Sequence, residues 1–113
     1  MNAEVEPNSA LPNIDEIRLE AQSKPEDLEA QYRYAWALLN LGQNEQARVA
    51  FESGRSRWPD AIEFLYGLGM VGKATGDKQL ASANFSLAAG KEVRDVRGTM
   101  LKRLAEIQQM IVS

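Results

Sequence analysis

The string Gly67-Leu68-Gly69-Met70-Val71-Gly72-Lys73-Ala74 holds the residues of this chain whose types and spacing come closest to doing chemistry. Its spaced glycines satisfy the dinucleotide fingerprint and, with Lys73, nearly satisfy a phosphate-binding loop. In such a loop the glycines let backbone amides cradle phosphates, the lysine reaches the outer phosphates, and the next residue offers a hydroxyl to magnesium. Ala74 has no hydroxyl, and Thr75 comes one place late. Either motif also needs a strand of a parallel sheet before its glycines, whereas Ala61 to Tyr66 reads as the start of a capped helix. A nucleotide-binding protein using Gly67–Lys73 is therefore the alternative reading. The leading one is that Gly69 is a small contact residue and that Gly67 and Gly72 allow close helix approach or make room for a bulky neighbour. Three glycines inside a helix cost about 1 kcal/mol each relative to alanine, so that helix should be locally weak.

No other chemistry stands out. Cysteine and histidine are both absent, which removes disulfides, thiolate nucleophiles, imidazole bases and nearly every structural zinc arrangement. Carboxylates such as Glu16 with Glu20, or Glu92 with Asp95, fall at the helical spacings of solvated faces. The expectation is a noncatalytic protein with no cofactor and no metal. The net charge of -3 lacks the clustered basic surplus of nucleic-acid binders, so no nucleic-acid partner is expected. The N-terminus has no signal-peptide pattern, and no stretch approaches the ~20 apolar residues of a membrane helix, so a soluble, cytoplasmic protein with no membrane partner is expected.

The elements that would position these residues are helices. Residues 1–12 are polar and proline-containing and read as a flexible arm, ahead of a domain over 13–113. Asn13 with Glu16 makes a capping box, and Ile14, Ile17 and Ala21 recur at helical spacing, which predicts a short capping helix over 13–22. Further helices are expected at about 27–40, 44–57, 61–74 and 78–91, separated by Leu41-Gly42-Gln43, Trp58-Pro59-Asp60 and Thr75-Gly76-Asp77. Asp60 with Glu63 suggests a second capping box, and Gly42 and Gly76 suit left-handed helix ends. Val93, Val96, Met100, Leu104, Ile107 and Ile111 form one apolar stripe on a long final helix over 93–112. No segment alternates as a strand would, so the fold class is all-α.

Sliding the chain by 34 residues brings Pro25 onto Pro59, Tyr32 onto Tyr66, Gly42 onto Gly76, Ala47 onto Ala81 and Phe51 onto Phe85. That period, with a helix, a glycine turn, a second helix and a closing proline, resembles the tetratricopeptide repeat. In the first copy Gln31, Tyr34, Ala35 and Leu38 stand at the family's Trp, Leu, Gly and Tyr, followed by Ala47, Phe51 and Pro59 at its Ala, Phe and Pro. In the second, Leu65, Leu68, Gly69 and Gly72 take the first four places, then Ala81 and Phe85, with Val93 where proline is expected. Gly72 and Val93 depart from the pattern. The resemblance implies a right-handed superhelix of two helix hairpins, repeat 1 over 27–57 and repeat 2 over 61–91, with an N-terminal and a C-terminal capping helix. Ala47 and Ala81 would let hairpin partners cross closely, and Phe51 and Phe85 would fill the space between hairpins. About three units are usually needed for stability, so the end helices would supply the missing contacts.

Gln31-Tyr32-Arg33-Tyr34-Ala35-Trp36-Ala37-Leu38 is also similar to a segment of the mitochondrial fission adaptor family, a two-repeat helical adaptor whose members end in a membrane anchor. No such anchor is read here, so the likeness implies a similar bundle without organelle targeting.

Both resemblances imply a noncatalytic protein–protein interaction module: an adaptor, scaffold or chaperone-like protein binding a peptide or helix on a concave face lined by the first helix of each hairpin. The residues this places in the binding row are Tyr32, Arg33, Trp36, Leu39 and Asn40, then Tyr66, Met70 and Lys73, with Glu29 and Glu63 at its edge. Aromatic and methionine side chains give large, adaptable contact area. The same row could instead be covered by the final helix or by the arm, or could pair two copies as a homodimer. A basic stretch, Lys91, Arg94, Arg97, Lys102 and Arg103, reads either as a solvated helix face or as a surface for an acidic partner.

Overall fold

Six helices account for the regular structure in a computed structural model that describes residues 13–112; the arm expected over 1–12 lies outside them. They are α1 (Ile14–Ser23), α2 (Leu28–Asn40), α3 (Asn44–Arg57), α4 (Ile62–Thr75), α5 (Lys78–Ala89) and α6 (Val96–Val112). No strand occurs among the described residues. Each helix packs on the next in sequence, and α4 also touches α2 and α6. The result is two hairpins, α2/α3 and α4/α5, flanked by α1 and α6 in a body of 50 × 28 × 27 Å.

Local chemistry sets most of the boundaries. Asn13 and Glu16 form the reciprocal capping box, and the side chains of Asp27 and Asp77 accept from the first free amides of α2 and α5. Gly42 and Gly76 close their turns at φ 78 and 77, a left-handed backbone that glycine adopts without steric cost. The capping box expected from Asp60 and Glu63 does not form. Ala61 occupies the cap without a side-chain bond, Asp60 pairs with Lys91 at 3.6 Å, and Glu63 turns to a guanidinium instead. A charged partner outweighs one backbone amide as an acceptor's target.

The core is two clusters of buried side chains. One, around Leu38, Ala47, Phe51, Phe64 and Leu68, joins the first hairpin to α4; the other, around Leu65, Tyr66, Phe85 and Leu101, joins the second hairpin to α6. Trp36 packs against both. The glycines of α4 are explained by these neighbours. A Cβ on Gly67 would stand 2.1 Å from the Phe51 ring, one on Gly69 2.5 Å from the Phe85 ring, and one on Gly72 2.5 Å from the backbone nitrogen of Ala81. Real Cβ atoms do not approach so closely, so each glycine is fixed by packing.

The final helix differs from its expected form. It starts at Val96, with Asp95 accepting at 2.6 Å from the Gly98 amide, and Val93 lies in the connection before it. Its buried face is Gly98, Leu101 and Ala105; of the expected stripe, Val93 and Leu104 pack against the core cluster, while Val96 is 87 % exposed, Met100 52 %, Ile107 47 % and Ile111 61 %. Gly98 and Ala105 present little side-chain bulk at that packed face, a role that a count of large apolar residues overlooks.

Candidate binding face

The three first-helix positions start at Leu28, Ile62 and Val96, each 34 residues after the last. Equal spacing along a repeat stack brings equivalent side chains side by side. One row is Glu29, Glu63 and Arg97; the next is Tyr32, Tyr66 and Met100; the third is Trp36, Met70 and Leu104. The first row is directly bonded. Arg97 grips Glu29 with both terminal nitrogens, Nη1 to Oε1 at 3.0 Å, and its Nε and Nη2 donate to Glu63 Oε2 at 3.0 and 2.8 Å. The guanidinium also lies 4.8 Å from the centre of the Tyr32 ring. These contacts hold Arg97 above its ordinary pKa, the hydrogen bond to Glu29 first and that to Glu63 after it, against an opposing effect of burial. The Glu63 side chain is only 10 % exposed, so the arginine neutralises a carboxylate that has lost most of its water.

Behind that ionic row the face is aromatic. Tyr32 meets Trp36 edge to face at 6.3 Å, Trp36 meets Phe51 at 5.7 Å and Tyr66 at 6.4 Å, and Tyr66 meets Phe85 at 5.6 Å. Burial raises the pKa of both Tyr32 and Tyr66; hydrogen bonds from Trp36 and Gln108, respectively, act in the other direction. Of the residues expected in the binding row, Arg33, Asn40 and Lys73 are exposed, and Tyr32, Trp36, Leu39 and Met70 are half-buried. Tyr66 is 6 % exposed and belongs to the core cluster that includes Leu101. Arg33 pairs with Glu20 of α1 at 3.3 Å, and Lys73 donates to Gln108 of α6 at 2.7 Å.

The sequence reading did not place α6 on this face. Sliding the chain a second time by the same period would have done so, because it carries Glu63 onto Arg97, Tyr66 onto Met100 and Met70 onto Leu104. The weak signature of that third copy hides the correspondence: Thr99, Lys102, Arg103 and Glu106 stand where, Gln31 apart, aromatic, aliphatic or small residues mark the first two.

The segment Gly67–Lys73 lies wholly inside α4. A phosphate cradle requires a loop after a strand, with amides free to point at the ligand; here Gly67 and Gly69 abut phenyl rings and Gly72 abuts backbone. Among the described residues no group of three or more acidic residues is placed to hold a metal ion, and no helix is long and apolar enough to cross a membrane.

Comparison with curated proteins finds no match. The tetratricopeptide repeat family model matches residues 28–71, which span the first hairpin and most of α4. The 34-residue spacing continues through α6, and this all-α helical-repeat fold is consistent with a tetratricopeptide-like repeat protein.

Proposed function

We propose that this protein is a noncatalytic adaptor or scaffold that captures a peptide or helix of another protein against α2, α4 and α6. Tetratricopeptide repeats generally mediate protein–protein interaction, and the observation that carries the reading here is the cross-helix row of Tyr32, Trp36, Met70, Met100 and Leu104. Aromatic and thioether groups of this kind offer large, adaptable contact area. Arg33, Leu39, Asn40 and Lys73 supply polar and apolar contacts beside the row, and Tyr66 forms its floor.

Affinity capture from a cell extract, with wild type, Trp36→Ala and Met70→Glu in parallel, tests this. Met70→Glu puts charge on the half-buried face; it should abolish capture and, because Met70 also packs against the Tyr66 cluster, lower the melting temperature while the protein stays helical at the assay temperature. Trp36→Ala should weaken capture and also lower the melting temperature, because Trp36 contacts both core clusters. Equal capture by all three proteins would rule the face out.

A further inference from the structure

We propose that α6 carries a second docking site, sharing Met100 and Leu104 with the α6 edge of the cross-helix row but not its aromatic groups, for an acidic peptide with an apolar side chain set between carboxylates. A shallow, open groove of about 550 Å³ lies along the exposed side of α6, with Val96, Met100 and Leu104 along it, Arg94 and Arg103 at its edges and Asp95 at one end. Asp95 is engaged, since its carboxylate caps the helix at the Gly98 amide. The neighbouring cations are engaged too: Lys91 with Asp60, Arg97 with both glutamates, and Lys102 with the Lys91 carbonyl oxygen at 2.7 Å. Arg94 and Arg103 alone of this basic stretch make no ion pair or hydrogen bond among the described residues. Two uncompensated guanidiniums at the edges of an apolar groove are complementary to carboxylates flanking an apolar group, which each arginine can bind bidentately.

The repeat frame argues against other occupants. Arg103 stands 34 residues after Gly69 and 68 after Ala35, the small positions at which hairpin helices cross. A bulky cation there, with Lys102 in the place of Leu68, blocks the close crossing that another hairpin or a stacked second copy would need. Two α6 faces brought together would also set arginine against arginine.

The probes are two short synthetic peptides sharing one leucine-containing core, flanked by glutamates in one and by lysines in the other. Amide NMR on the whole chain should show the glutamate peptide shifting Val96 to Leu104. Its affinity should fall roughly tenfold or more in Arg94→Glu/Arg103→Glu, which loses two charge-assisted contacts, while the lysine peptide gains. The milder Arg94→Gln/Arg103→Gln should weaken binding in the same direction without reversing the preference. Trp36→Ala should leave the peptide's affinity unchanged, which separates this site from the aromatic row. No binding by the glutamate peptide, equal binding of both peptides, unchanged affinity in the charge variants, or shifts centred on Tyr32 and Trp36 would each overturn the proposal.

Discussion

Helices α2 and α4 hold equivalent places in successive hairpins, yet α2 buries three residues and α4 ten. The paired positions show how. Arg33 corresponds to Gly67, Ala35 to Gly69 and Leu38 to Gly72. Before α2, the residue at the position of Phe51 is Ile17, and Arg33 is exposed and pairs with Glu20. Before α4 it is Phe51 itself, and only glycine fits beneath its ring. Within the first hairpin Leu38 fills the crossing; within the second, Gly72 lets the backbones meet. One repeat pattern thus serves an outer helix that keeps a polar side and a central helix packed on nearly every side. Helix propensity is given up in α4 because tertiary packing more than offsets about 1 kcal/mol per glycine.

The comparison can be broken most severely at its hinge. Phe51→Ala should destabilise by about 3–5 kcal/mol, since it empties the space shared by Trp36, Phe64 and Gly67, and denaturant titration would show it. Next come the glycines themselves. Gly72→Ala should cost about 2 kcal/mol net of its propensity gain, because the obstruction is backbone that cannot rotate away. Gly67→Ala should cost about as much in wild type and much less in a Phe51→Ile background, where a ring no longer lies above it; a cost unchanged by that background would show that Phe51 is not the cause. Smallest, Arg97→Ala should cost about 1–2 kcal/mol by thermal melting. It strands the buried Glu63 carboxylate, but the Glu29 half of the pair is largely solvated and contributes little.

Much of this was legible in the sequence because it is carried by local signals. Helical periodicity, proline breaks and turn glycines are read within one or two turns of chain, the recurrence of Ala47 and Phe51 at Ala81 and Phe85 needs only the sequence laid against itself, and the six-helix fold follows from them. The same register assigned the α4 glycines to helix contact in preference to phosphate binding. Less legible was everything requiring a partner far along the chain. Glu63 looked like a capping residue because its local spacing to Asp60 fits a box, whereas its actual partner is 34 residues away. The outward face of α6 was misjudged for a related reason: small residues pack invisibly in a periodicity scan, and Gly98 and Ala105 define the buried side. For the binding row, sequence alone could group Tyr32, Trp36 and Met70, but not the half-burial that each shows.

The arginine clasp carries a consequence for the order of assembly. Arg97 reaches back 68 residues to Glu29, in a molecule whose other helix contacts join close neighbours in the chain. During synthesis from the N-terminus, both hairpins are complete before that guanidinium emerges. Until it does, Glu63 sits at their joint with no cation to neutralise it, which disfavours tight closure of α4 over α2. Arrival of the last helix should therefore tighten a joint that the Phe51 cluster has already formed, and chains stopped short of it should be more vulnerable to proteolysis there.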